Sequence, residues 1–268
     1  MNKSILLDGK NKDEQILLSK ILDKVEESKK KNKITNTDFL NEYEQVLTKE
    51  LLQKIKFKNY IFYGGYENSE RKVIIFYPEK LEFIGDNKEK LSNNILEIIK
   101  IKLPNELKGM YNHKNYLGMI MKLGVKREKV GDIQVRETGA DIIILPEIAK
   151  FLKLNLQELT RLKKAIIEND SIDKLEIAET KTESYKIIVS SLRLDLIVSE
   201  LIKKSRNQAK ECIINERVFI NHKNEIKLTK EVKEEDLITI RGKGRFKISR
   251  ILGNTQKGKI ILEIEKYA

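Results

Sequence analysis

Arg193-Leu194-Asp195-Leu196-Ile197-Val198-Ser199-Glu200-Leu201-Ile202-Lys203-Lys204-Ser205-Arg206-Asn207-Gln208-Ala209-Lys210-Glu211-Cys212-Ile213 reads as two short helices joined by a tight basic link. Leu194, Ile197, Val198, Leu201 and Ile202 recur at helical spacing, so the first helix buries that stripe and leaves Arg193, Lys203 and Lys204 near its ends. Ser205 followed three residues later by Gln208 is the signature of a capping box, which starts the second helix. Its Ala209, Cys212 and Ile213 face inward while Arg206, Asn207 and Lys210 face outward. Cations beside freshly capped amide donors make a surface suited to phosphate oxygens.

Downstream the rhythm changes to period two. Val218 and Ile220 alternate into a strand, Asn221 to Asn224 turn it, and Asp236 precedes a strand over 237–241. Gly242, Lys243 and Gly244 form a tight basic turn, after which Arg245, Phe246, Lys247 and Ile248 alternate charge with apolar groups. Roughly residues 190–250 resemble the S4 RNA-binding domain, through Arg193-Leu194-Asp195, Ser205-Arg206 with Ala209-Lys210, Val218-Phe219-Ile220-Asn221 and Asp236-Leu237-Ile238. The resemblance implies that Arg193, Arg206 and Lys210 contact RNA backbone, with Lys204, Ser205, Gln208, Lys223, Lys243 and Arg245 as further candidates. The family carries glycine shortly before the strand and after its asparagine, where this chain has Glu216-Arg217 and His222. Glycine serves positions of positive φ, so the loop shapes there, and any RNA contact by Arg217 or His222, stay open.

Upstream, the order of patterns is β-α-β-β-α-β: a strand near 95–101, a helix near 114–123, strands over 133–137 and 141–145, a helix from Pro146 and a strand near 175–178. Gly124 suits a helix C-terminus, Thr138-Gly139 a short strand link and Pro146 a helix first turn. A split-βαβ, ferredoxin-like (RRM-like) sandwich is the expectation. Further upstream, Ile16, Leu17, Ile21, Leu22 and Val25 predict an amphipathic helix ended by the polar stretch 26–33. Thr37 is expected to cap a second helix bearing Leu40, Tyr43, Leu47 and Leu51, and an aromatic hairpin follows around 60–65 and 72–77. The fold class is therefore α+β, with a helical and hairpin region over 1–90, the sandwich over 91–184 and the S4-like segment over 185–268.

The 268 residues carry 53 Lys and Arg against 41 Asp and Glu, a net +12. Residues 185–268 hold 19 basic and 11 acidic residues, so the last third supplies +8 of that excess. Such a balance favours polyanions. One cysteine and two histidines leave no disulfide framework and no zinc set, so no metal or cofactor is expected. Met1 to Lys12 lacks an export signal and no run of about 18 apolar residues occurs, which points to the cytoplasm and away from membranes. There is no P-loop or His-centred triad, and Gly242-Lys243-Gly244 lacks a third glycine in place.

The whole chain resembles the YlmH family, through Leu117-Gly118-Met119-Ile120-Met121-Lys122-Leu123-Gly124-Val125-Lys126-Arg127-Glu128-Lys129-Val130-Gly131-Asp132-Ile133. That resemblance implies a protein that is not an enzyme and that binds structured RNA, 23S ribosomal RNA and tRNA, on large ribosomal subunits bearing peptidyl-tRNA during rescue of stalled translation. It leaves the oligomeric state open. An accessory to RNA modification and a cell-division scaffold remain as alternatives. Lys126, Arg127 and Lys129 are either a solvated turn or a second RNA contact that would add avidity. Asp195 is expected to cap or ion-pair rather than catalyse. Tyr60, Phe62, Tyr63 and Tyr66 are expected to pack on helices rather than stack on bases.

Overall fold

The computed structural model describes residues 8–84, 92, 94–178 and 182–267. The first seven residues and the boundary expected near residue 90 lie outside them. Two compact units emerge, residues 1–178 and 179–268.

In the first unit, α1 (Lys12–Lys31) and α2 (Glu42–Lys54) each start from an asparagine capping box, Asn11 with Glu14 and Asn41 with Glu44. Thr37 is therefore not the cap of α2. It follows the short strand β1 (Thr35–Asn36), where its hydroxyl accepts the Ile74 amide. Nor does the lysine-rich stretch end α1 early. Lys30 and Lys31 pair with Glu26 and Glu27 one turn back, which supports a helix whose composition alone looks unfavourable.

The aromatic hairpin forms β2 (Tyr60–Tyr63) and β3 (Val73–Phe76), and β3 lies centrally between β1 and β2. Alternation along β3 divides its duties. Ile74 and Phe76 pack with Leu18, Ile21, Leu47 and Leu51 of the helices, whereas Val73 and Ile75 face the next sheet. Tyr60 and Phe62 pack against the helical cluster, and Tyr63 and Tyr66 against the inter-sheet cluster.

That next sheet contains β4 (Glu97–Lys102), β5 (Val130–Arg136), β6 (Gly139–Ile144) and β7 (Ile166–Ser171), in antiparallel order β5-β6-β4-β7. With α3 (His113–Lys122) after β4 and α4 (Ala149–Glu158) after β6, the connectivity is that of a split βαβ sandwich. A 3-10 turn, Pro146–Ile148, precedes α4. The fourth strand falls at 166–171 rather than at 175–178. In this edge strand only Ile167 is buried, so polar Glu168, Asn169 and Asp170 hid it from hydropathy reading.

Ile99, Ile101, Ile142 and Ile144 point to one face and pack beneath Tyr116, Met119 and Ile120 of α3 and Leu152 and Leu156 of α4. Their neighbours Ile98 and Ile143 point to the other face, against Phe39, Val73 and Ile75. Gly131 permits this close stacking. A Cβ there would sit 2.7 Å from the Phe39 ring.

The second unit is a six-stranded sheet with two helices. Its strands are β8 (Thr182–Val189), β9 (Val218–Ile220), β10 (Lys223–Asn224), β11 (Leu237–Ile240), β12 (Gly244–Asn254) and β13 (Ile260–Tyr267), ordered β10-β9-β11-β12-β13-β8. The opening strand starts three residues before Tyr185. Helices α5 (Leu194–Ile202) and α6 (Arg206–Ile214) bury Leu194, Ile197, Val198, Leu201, Ala209 and Ile213 against Val218, Ile220, Ile238 and Ile240.

Candidate RNA interface

The two short helices bring Arg193 and Arg206 to one carboxylate. Arg193 occupies the N-cap position of α5, and the amides of Leu194 and Asp195 donate to the carbonyls of Lys230 and Leu228. This seats Asp195 on the first turn with no solvent exposure. Arg193 Nε donates to its Oδ1 at 3.1 Å and Nη2 to Oδ2 at 3.2 Å. Arg206, from the first position of α6, donates through Nε to Oδ2 at 2.8 Å, with Nη2 2.7 Å away. Burial pushes the Asp195 carboxyl up, but the hydrogen bonds from Arg193 and then Arg206 outweigh it and hold the group below the ordinary carboxylate range.

Both arginine side chains keep substantial exposure, 39% and 47%, so neither guanidinium is consumed by the pair. A guanidinium offers five N–H donors in a fixed fork. Asp195 thus locks two forks side by side, and the trio keeps a net +1 on an otherwise polar surface. The expected ion-pair role for Asp195 is what the geometry shows.

Ser205 and Gln208 form the predicted capping box, with the Gln208 amide donating to Ser205 Oγ and the Ser205 amide to Gln208 Oε1, both at 3.3 Å. Lys204 is exposed, and its carbonyl accepts the Ser199 hydroxyl at 2.7 Å. Lys210 is half-buried and Lys223 is exposed on β10. Lys243 stands in the turn after β11, between two grooves of about 170 and 580 Å³. It shares the smaller with Gln208 and Arg217, and the larger with Lys203 and Lys266. The Arg245 guanidinium lies 5.5 Å from the centre of the Tyr267 ring.

Sequence reading left out Arg241 and kept Arg217 open. Arg217 Nη2 donates to the Arg241 carbonyl at 3.0 Å, and the Arg241 guanidinium stacks 4.8 Å over the Phe219 ring. Alternation was the available signal, since Phe219 lies between inward Val218 and Ile220 and had to face out. The glycine question also resolves. Glu216 (φ 55) and His222 (φ 68) adopt left-handed backbone, so the loops keep the shape glycine would give.

In the first unit the three candidate cations part company. Lys126 is exposed. Arg127 donates to the carbonyls of Val130 and Gly131, and burial followed by repulsion from Arg71 holds its guanidinium down to about 10. Lys129 bonds Asp38 and Glu147, each at 2.6 Å. Burial lowers its pKa, but those two carboxylates raise it overall. Arg127 and Lys129 are thus turned inward to hold the unit together.

Among the described residues, no helix is long and apolar enough to cross a membrane, and no group of three or more His, Cys, Asp or Glu could hold a metal.

Residues 90–173 match the family model described as "Putative RNA-binding domain in YlmH". A curated relative from Bacillus subtilis (strain 168), the "Ribosome-associated protein quality control protein P2", is 29% identical over 257 residues, spanning 95% of this chain and 96% of the relative. A solved structure, "Cell division protein ylmH from Streptococcus pneumoniae", aligns with TM-score 0.48 and 18% identity over 62% of this chain and 96% of that one. The split βαβ sandwich thus lies where the model of the putative RNA-binding domain in YlmH falls, and the curated relative is similar to this chain from end to end.

Proposed function

We propose that the protein binds structured RNA, without catalysis, through the second unit as an S4-type domain, and does so on large ribosomal subunits bearing peptidyl-tRNA when translation has stalled. The observation that carries this reading is the pair of guanidinium groups from two helices, fixed side by side by the buried Asp195. Side chains held in place before the ligand arrives lose little conformational entropy on binding. Phosphate oxygens are the natural occupants, because guanidinium forks match them bidentately. Lys204, Lys243 and Arg245 would extend the contact along the RNA backbone, with Lys210, Lys223 and the Ser205-Gln208 cap as further points. The ribosome as partner is supported by the full-length relative, whose name places it in ribosome-associated quality control. The absence of catalysis in this reading agrees with Asp195, which lies beneath two arginines instead of facing a substrate.

Replacing Arg193 and Arg206 by alanine tests the proposal. The double variant is expected to lose co-sedimentation with large subunits. It also strands a buried carboxylate, at a cost of about 3 kcal/mol. Adding Asp195→Asn removes that charge, so the triple variant should regain thermal stability while still failing to co-sediment. A stable triple variant that co-sediments like the wild type would refute the proposal.

A further inference from the structure

An RRM-like sandwich ordinarily reads RNA on its open sheet face, where aromatic side chains stack on bases. Here most of that face is covered. Ile98 and Ile143 lie under the N-terminal sheet, packed on Phe39, Val73 and Ile75. The stretch around Lys100 and Asp141 lies under the segment that follows β7, tied down by a charged network, and only the corner at Lys102, Ile166 and Glu168 stays exposed among the described residues. Lys100 Nζ reaches Glu176 at 2.7 Å and the Lys174 carbonyl at 3.0 Å. Arg136 Nη2 reaches Asp141 at 2.6 Å, and the Glu176 amide donates to the same carboxylate at 2.9 Å. Asp141 is fully buried and Lys100 nearly so.

The opposite face is open and basic. Segments 105–126 and 147–165, which contain α3 and α4, hold nine Lys or Arg against three acidic residues, a net +6. Residues 179–268 hold 20 basic and 13 acidic residues, which leaves residues 1–178 with +5 of the total +12. The helix side therefore carries all of the first unit's positive excess, and the rest of the unit nets −1. Lys114, Lys122 and Lys150 are exposed there. Phe151 (45%) and Leu154 (56%) stand one turn apart on α4, apolar side chains that the fold itself does not use.

Gly118 sits in the middle of α3, whose inner face is formed by Tyr116, Met119 and Ile120. By helical geometry it points away from them. A Cβ there would meet nothing within 4 Å. A glycine inside a helix weakens it relative to alanine, and no neighbour among the described residues requires one at this place. It opens a shallow gap between Lys114 and Lys122 through which another backbone can approach the helix closely.

We infer that the first unit grips RNA by this helix side, with Lys114, Lys122 and Lys150 on the phosphate backbone of a double-stranded stretch that settles against Gly118. The inference rests on the RNA-binding reading above and names the surface through which the first unit joins it.

Ultraviolet crosslinking of the full-length protein to large ribosomal subunits, followed by mass spectrometry of peptide–RNA adducts, tests both and separates them. Adducts on peptides from 108–126 and 147–164, alongside those from 193–250, are expected. Adducts confined to 193–250 overturn the helix-side inference and leave the proposed function standing. No adducts in either region overturn both.

The variant with Lys114, Lys122 and Lys150 all changed to glutamine should reduce the slope of log affinity against log salt for a short RNA duplex by about 2 to 3. Gly118→Gln should keep or raise Tm while weakening duplex binding at least fivefold. Unchanged affinity in both variants overturns the inference, as does retention of an acidic protein on this surface after nuclease digestion.

Discussion

At the scale of single residues, two groups hold unusual positions for opposite reasons. Glu216 follows α6 as the left-handed residue of a Schellman turn, its amide donating to Ile213 and the next amide, of Arg217, to Cys212, each at 3.1 Å. A side chain in that conformation costs about 1 to 2 kcal/mol, less the backbone entropy that glycine would lose. Glu216→Gly should therefore stabilise the protein by about 0.5 to 1 kcal/mol, seen as a rise of a few degrees in Tm with RNA affinity unchanged. Asp195 pays into stability through its charge. Its pKa is depressed in the fold, so its contribution is complete above the unfolded value of about 3.9 and disappears as pH falls through the lower folded value. Unfolding followed between pH 6 and 2 should show an acid limb that Asp195→Asn flattens; identical limbs would mean the carboxylate is not held as described.

Elements show where the sequence spoke clearly and where it did not. The helices α5 and α6 were legible because their apolar stripes and the Ser205-Gln208 cap are local signals. The clamp geometry was half legible. Arg193 and Arg206 could be named as candidates, but that Asp195 joins them depends on the strand-like segment 228–231, whose carbonyls seat the start of α5. β7 was misplaced because an edge strand needs only one buried side chain, Ile167, to hold its register. Lys129 looked like part of a basic loop because its partners, Asp38 and Glu147, lie far away in the chain. Lys129→Ala should lower the stability of the first unit by about 1 kcal/mol without changing the salt dependence of RNA binding. Gly131→Ala should cost about 1 to 3 kcal/mol, because its methyl group meets the Phe39 ring that joins the two sheets. Chemical denaturation monitored by tyrosine fluorescence measures both.

For the molecule as a whole, the charge excess sets the conditions under which it works. If about six phosphates are engaged, affinity should fall about a thousandfold between roughly 50 and 200 mM salt; a weak salt dependence in a filter-binding titration would point to a contact of another kind. The strand order of the second unit also has a temporal side. β8 is laid against β13 and against no other strand of its sheet, although about seventy residues separate the end of one from the start of the other. Ile187 and Val189 of β8 nevertheless belong to the same core as the helices bearing the arginines. During synthesis, then, the opening strand of the nascent second unit is made long before its partner, and it stays unpaired until β13 has emerged to lie beside it.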